Sequence, residues 1–192
     1  MSFSLTLSHV GVFVTDMAPM VDFYTGFLGF AVSDRGATRD GGEIVFMTRD
    51  AREHHQFVLA TGKPAGLGFN TVQQLSFRVD SLDTLRELHR GVKSERAVDL
   101  GPVTHGNALS IYLHDPEKNR VELLIDTPWY VPQPCRIPVD LSLSDDALWA
   151  SIEEAARELP GFKPRAAWAA DIERRIADAT AHRRRAVSTA TA

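Results

Sequence analysis

The chain has 192 residues, of which 44% are hydrophobic and 24% are charged. These proportions are typical of a globular protein and exclude a collagen-like, coiled-coil or wholly disordered chain. The 21 basic and 25 acidic side chains leave a net charge of -4. This balance argues against a dedicated nucleic-acid-binding protein, because such proteins usually carry a basic excess.

Cysteine usage and hydropathy predict a protein of the cytoplasm. The single cysteine, Cys135, cannot form an intramolecular disulfide, as is usual in a reducing compartment. The N-terminal residues lack the basic and apolar regions of a signal peptide. No apolar run approaches the roughly 18 residues of a membrane span, so no membrane partner is expected.

The first third of the chain has the pattern of a strand, a helix and three further strands. Residues 5–14 alternate and are rich in valine and phenylalanine, which favours a strand. A helix follows, with Thr15 or Asp16 as its N-cap and Gly29 as its stop signal. The later strands are expected at 30–33, 43–48 and 54–60, with a polar turn region at 34–42.

The same pattern restarts after a linker at 61–70 that is rich in glycine. A strand is expected at 72–79, and a helix capped by Ser81 follows it. Further strands are expected at 108–113 and 119–125. The repetition of strand, helix and strands predicts two similar modules rather than one irregular domain.

After the second module the pattern changes to helices with an apolar stripe. The first helix is capped by Ser144, and the second opens at Pro164 and leads into a frayed tail. We expect these helices to cap the core or a subunit interface. The predicted organisation is a domain at 1–133 followed by a helical C-terminal extension at 134–192.

The most informative residue is Glu122, an acidic side chain within the apolar strand at 119–125. A carboxylate in such a strand either faces solvent at a sheet edge or is paired with a cation or metal when buried. His9 and Gln74 occupy equivalent places in the two modules, so pseudo-twofold pairing would bring them together with Glu122. One carboxylate with two neutral donors and open positions is typical of a mononuclear non-haem metal site.

Several stretches together point to a known family. The most specific is THGNALSIYLHDP at 104–116, which runs on to NRVEL at 119–123. Supporting stretches are LSHVGV at 7–12, FY through LGF at 23–30, and EHHQFVLA at 53–60. The chain resembles the vicinal oxygen chelate superfamily (glyoxalases, bleomycin resistance proteins and dioxygenases), and within it the one-domain type I extradiol ring-cleavage dioxygenases.

The resemblance implies an α+β fold in which two βαβββ modules, at about 5–60 and 70–131, pair into a half-open barrel around a metal cleft. It also implies that His9, Gln74 and Glu122 are the metal ligands. Gln74 stands where the family has a histidine, and an amide oxygen is a weaker donor to Fe(II) than imidazole. Fe(II) is the expected metal, with Mn(II) or Zn(II) as alternatives.

The resemblance also implies catalytic roles for three residues. His55 and His105 fall on histidines that lie beyond the metal ligands in the dioxygenases, and either one is a candidate to accept a substrate proton. Tyr112 falls on a tyrosine that contacts a substrate oxygen. His54 remains a rival to His55, because the doublet leaves the register open by one residue.

The implied function is Fe(II)-dependent extradiol (meta) cleavage of a catechol, such as a dihydroxybiphenyl, with O2 as the second substrate, in a homodimer. One alternative is a ligand-sequestering binding protein of the bleomycin-resistance type, which Gln74 favours and the pair His9 and Glu122 disfavours. The other is a glyoxalase-like metal-dependent isomerase. Glyoxalases have a further ligand, usually glutamate, where this chain has His55 or Gln56.

Overall fold

The computed structural model describes residues 5–66, 68–92 and 101–190, with side chains described up to residue 181 in the last helix. The described chain forms two compact units. The first unit is drawn from 1–76, 90–98 and 113–122, and the second from 77–89, 99–112 and 123–192. None of the helices that the structure describes combines the length and hydrophobicity needed to cross a bilayer.

The fold is mixed α+β. The strands are β1 Val10–Val14, β2 Ala31–Ala37, β3 Glu43–Thr48, β4 Phe57–Thr61, β5 Leu75–Arg78, β6 Val103–Thr104, β7 Ala108–His114, β8 Arg120–Asp126, β9 Trp129–Tyr130, β10 Ile137–Pro138 and β11 Lys163–Pro164. The helices are α1 Met17–Asp22, continued by a π-helical turn at Phe23–Phe27, then α2 Leu82–Gly91, α3 Asp145–Arg157 and α4 Arg165–Ala190.

The two larger sheets share one strand order. In the first, the order is β1-β4-β3-β2, with β1 and β4 parallel and the other pairs antiparallel. The second has the order β10-β6-β7-β8-β5. Read from its other edge, the second sheet begins β5-β8-β7-β6. In both sheets the first strand of the module is therefore followed by its fourth, third and second strands. The predicted repeat of two βαβββ modules is confirmed.

The two faces of the first sheet differ in what covers them. Residues that pair across two strands lie on the same face of the sheet. Val45 pairs with Leu59, and Met47 pairs with Phe57, so these side chains share one face, where Val45, Met47 and Phe57 are fully buried. Tyr24, from the π-helical turn, packs its ring 4.4 Å from that of Phe57. The opposite face carries Phe46, which is half-buried, and it is this face that carries candidate site residues.

The predicted helix starts are present. Asp16 accepts a hydrogen bond from the amide of Ala18, and Ser81 accepts one from Thr84. Ser144 likewise accepts from the amide of Ala147. These side chains satisfy N–H groups that have no partner within the first helical turn.

The turn between β7 and β8 is built around one buried carboxylate. Asp115 accepts hydrogen bonds from the backbone amides of Glu117 and Asn119, from the Asn119 amide group and from the Tyr24 hydroxyl. Burial raises the pKa of Asp115 despite these donors, and burial together with Asp115 raises the pKa of Tyr24. Lys118 in this turn has a φ of 65°, a backbone conformation that glycine adopts most readily.

Several element boundaries differ from the predictions. The first strand begins at Val10 rather than at residue 5, and Leu5 and Leu7 are 88% and 90% exposed. The fourth begins at Phe57 rather than 54, because its pairing with β1 starts there. The expected turn at 34–42 was wrong in its first part, since β2 continues to Ala37 by pairing with β3.

Candidate functional site

Glu122 lies on β8 with its carboxylate buried, at 5% exposure. The amide nitrogen of Gln74 donates to Oε2 of Glu122 at 3.0 Å, and the hydroxyl of Ser76 donates to the same oxygen at 2.6 Å. The hypothesis of a solvent-facing Glu122 on an edge strand is wrong, because β8 lies between β7 and β5. The structure therefore brings two of the predicted ligands into direct contact.

Ser76 is a member of this cluster that the sequence analysis missed. Gln74 immediately precedes β5, and Ser76 lies two residues further along the chain, so strand alternation places the two on one face. The amide nitrogen of Gln74 also donates to the Ser76 hydroxyl oxygen at 3.0 Å. Gln74, Ser76 and Glu122 thus form a closed hydrogen-bonded triangle.

The structure places His9 against His55. His9 is exposed and directly precedes β1, and its ring centroid lies 4.3 Å from that of His55. His55 lies in the loop before β4, so neither member of the doublet belongs to a strand. The side chain that contacts His9 is His55, and His54 contacts His55 in turn.

A chain of polar contacts continues from His55. Its Nδ1 lies 2.8 Å from Nδ1 of His54, and Nε2 of His54 lies 2.9 Å from Oδ2 of Asp34. The ring of Phe46 packs edge-on against His55 at 5.1 Å. Partial burial, followed by repulsion from His9 and His54, lowers the pKa of His55, because both effects disfavour the charged form of the imidazole.

The second compact unit contains the predicted pair His105 and Tyr112. Nδ1 of His105 lies 2.7 Å from the carbonyl oxygen of Cys135, and Nε2 lies 2.7 Å from the Tyr112 hydroxyl. A carbonyl oxygen only accepts, so the proton of neutral His105 is on Nδ1. Its Nε2 consequently accepts from the Tyr112 hydroxyl, and the histidine has the tautomer that a proton acceptor needs.

Three apolar strand residues, Val12, Phe57 and Leu109, belong to the core and not to an open cleft. Val12, Phe57 and Leu109 are buried, and Phe57 packs against Tyr24. Strand alternation turns Val12 and Phe57 away from the face of the first sheet that carries Phe46.

The donor chemistry of the predicted ligands fits a divalent metal. Within the described ranges, no three histidine, cysteine, aspartate or glutamate side chains lie close enough together to hold one. Gln74 is an amide and is therefore outside that set, yet it touches Glu122. Rotation of the amide exchanges its nitrogen for its oxygen, and a carboxylate with an amide oxygen suits Mn(II) or Fe(II). The described ring contact of His9, the third predicted ligand, is with His55.

The family model of the Glyoxalase/Bleomycin resistance protein/Dioxygenase superfamily matches residues 6–123. The chain belongs to this superfamily. The match covers all six predicted site residues, from His9 to Glu122, and confirms the resemblance seen in the sequence motifs.

Known relatives differ in what they do. The chain is 30% identical over 124 residues to a biphenyl-2,3-diol 1,2-dioxygenase from Rhodococcus globerulus, and the match spans 62% of the chain and 62% of that protein. A fosfomycin resistance protein from Listeria monocytogenes, solved with Mn(II) and sulfate, is 17% identical at a TM-score of 0.51 and covers 65% of this chain and 95% of its own.

A glyoxylase/bleomycin resistance protein/dioxygenase domain from Frankia sp. EAN1pec has the same TM-score of 0.51 at 21% identity. That alignment covers 66% of this chain and the whole of the Frankia domain. At these identities the two solved structures establish the fold of the superfamily and nothing about the reaction.

Proposed function

We propose that this chain is an extradiol ring-cleavage dioxygenase that acts on a catechol and depends on a divalent metal, with Fe(II) as the expected ion. The observation that carries the proposal is the hydrogen bond between Tyr112 and the accepting nitrogen of His105. Cleavage of a catechol requires removal of a phenolic proton, and a histidine nitrogen that accepts from a tyrosine hydroxyl is suited to that step. The similarity to a biphenyl diol dioxygenase supports the same substrate class.

Glu122, Gln74 and His9 are the residues that would hold the metal. When bound, Fe(II) would supply chelation of the two vicinal oxygens of the catechol and the redox chemistry of O2. Glu122 contributes the negative charge. Gln74 would offer its amide oxygen after rotation of the amide, and the hydrogen bond from Ser76 to the carboxylate would fix the orientation of Glu122.

His105 and Tyr112 are proposed to handle the substrate proton. The carbonyl of Cys135 holds the proton of His105 on Nδ1, so Nε2 is free of a proton and accepts one. The Tyr112 hydroxyl donates to that nitrogen, and its oxygen in turn accepts a hydrogen bond from a substrate hydroxyl. The Tyr112 proton then passes to Nε2 of His105, and the proton of the substrate hydroxyl replaces it on the tyrosine oxygen.

The test is oxygen uptake by protein loaded anaerobically with Fe(II), offered a panel of catechols that includes 2,3-dihydroxybiphenyl. Metal content is determined on the same sample, and the ring-fission product is followed by its colour. We expect stoichiometric uptake with a coloured product. Retained iron without uptake refutes ring cleavage in favour of another metal-dependent reaction, and neither iron nor uptake favours the ligand-sequestering alternative.

The tyrosine offers a matched pair of variants. Tyr112→Phe should lower kcat by about 100-fold, because the hydroxyl that passes the substrate proton to His105 is lost. Tyr130→Phe removes a hydroxyl from a tyrosine that stacks on Trp168 at 5.5 Å and should leave kcat unchanged. Equal rates in the two variants would contradict the role assigned to Tyr112.

A further inference from the structure

Asp34 owes its position to a bulge in β2. The pairing with β3 runs from Val32 opposite Met47 directly to Asp34 opposite Phe46, so Ser33 is an extra residue. In an unbroken register Asp34 would lie opposite Val45, which is fully buried. The bulge moves the carboxylate to the other face of the sheet, and bulges that re-aim a side chain are frequent beside active sites.

On that face Asp34 reaches a pair of histidines. Its Oδ2 lies 2.9 Å from Nε2 of His54, whose Nδ1 lies 2.8 Å from Nδ1 of His55. Both distances are within the range of hydrogen bonds. The ring of Phe46 packs against both imidazoles, at 5.9 Å from His54 and 5.1 Å from His55.

The chemistry of the partners decides where the protons are. A carboxylate oxygen only accepts, so the contact with Asp34 requires a proton on Nε2 of His54. In its neutral form His54 carries one N–H, so its Nδ1 is then an acceptor and the proton between the two rings is on Nδ1 of His55. Nε2 of His55 is then the nitrogen that has a lone pair.

We propose that Asp34 and His54 are positioning residues that hold His55 in its Nδ1–H tautomer, so that Nε2 of His55 accepts a hydrogen bond from a substrate hydroxyl. The inference rests on the proposed function for its substrate class, a vicinal diol. His55 is suited to this role because its ring contacts His9, a proposed metal ligand. An orienting partner on the second imidazole nitrogen is the usual device for fixing which nitrogen is available.

A structural role predicts a different outcome. The side chains of His54 and Asp34 are 58% and 65% exposed, so their contact contributes little to stability. Loss of the pair should hardly change the free energy of unfolding. The tautomer of His55 therefore separates a positioning role from a structural one, because exposed polar contacts alone do not constrain it.

The experiment is nitrogen NMR of metal-free protein with isotopically labelled histidines, in which the His55 signals are assigned by their loss in His55→Gln. We expect a protonated Nδ1 and an unprotonated Nε2 in the wild type. Asp34→Ala and His54→Phe, which keeps a ring against Phe46, should both shift His55 towards the Nε2–H form. Asp40→Ala, which removes an exposed aspartate elsewhere in the same unit, should leave the tautomer unchanged.

A wild-type His55 with its proton on Nε2, or a tautomer that neither variant changes, would overturn the proposal. In the Fe(II)-loaded protein, Asp34→Ala should lower kcat about tenfold at unchanged KM, with Asp34→Glu restoring part of the loss. An unchanged kcat despite an altered tautomer would also overturn it. If the wild type cleaves no catechol, the proposed function fails. The NMR result still decides whether Asp34 and His54 fix the tautomer of His55.

Discussion

Replacement of Glu122 by glutamine tests the proposed metal site most directly. Glu122→Gln keeps the size of the side chain and removes its negative charge. The wild-type carboxylate is buried and accepts hydrogen bonds from Gln74 and Ser76. We expect the variant to fold, because a glutamine oxygen still accepts from Ser76, and to lose its affinity for divalent metal.

Two magnitudes follow from this geometry. In the metal-free protein, a charge-assisted hydrogen bond from Ser76 becomes a neutral one, which destabilises the fold by about 1 kcal/mol. In wild type at a free metal concentration of 100 times Kd, binding stabilises the native state by about 2.7 kcal/mol. For a chain of this size that stabilisation raises the Tm by about 5–11 °C.

The assay is thermal unfolding with and without Fe(II), under anaerobic conditions, together with Mn(II) as a redox-stable probe. We expect the metal-dependent rise in Tm in wild type and its loss in Glu122→Gln. The matched control is Glu43→Gln, because Glu43 makes an exposed ion pair with Arg35 that contributes little. A rise in Tm that survives in Glu122→Gln would refute the assignment of Glu122 as a ligand.

Three further predictions concern other parts of the fold. Asp115→Ala removes the acceptor of four described hydrogen bonds and should cost about 3 kcal/mol in urea unfolding, against about 1 kcal/mol for Tyr24→Phe. Because the pKa of Asp115 is raised on folding, protonation of this carboxyl group favours the native state. The free energy of unfolding of wild type should therefore fall as the pH rises through the pKa of the folded state, and Asp115→Ala should lack this pH dependence. Gly106→Ala should cost about 2–4 kcal/mol, since Gly106 has a φ of 75° and an added Cβ would lie 2.0 Å from Val131; a loss below 1 kcal/mol would contradict it. Gln74→His should tighten Fe(II) binding in a metal titration, and an unchanged affinity would count against direct coordination by Gln74.

Much of the module topology is predictable because it depends on local patterns in the sequence. Alternating apolar residues, the capping side chains and the restart of the pattern near residue 70 led to the repeated strand order. The placement of Glu122 opposite the face of Val121 and Leu123 also followed, since strand alternation has a period of two. The contact between Gln74 and Glu122 is the clearest result of that reasoning.

The rest depended on pairing between distant segments. The bulge that places Asp34 is set by the register of β2 against β3, and the sequence near Asp34 is polar and reads as a turn. The approach of His55 to His9 depends on the loop before β4, where no periodic pattern constrains the side chains. Ser76 was missed for a simpler reason, because a small hydroxyl residue in a strand carries no signal by itself.

The contacts of Gln74 explain how one residue serves two states of the proposed site. An amide has a donor and an acceptor on one rotatable group, so the nitrogen donates to Glu122 in the metal-free protein and the oxygen would be offered to a cation after rotation. Metal binding must therefore break the hydrogen bonds from Gln74 to Glu122 and Ser76, which weakens the net affinity by about 1 kcal/mol for each bond. A histidine at this position has no such exchange of roles, since its ring binds metal through a fixed nitrogen. The lower affinity expected with glutamine is thus a consequence of both a weaker donor and a competing hydrogen-bonded state.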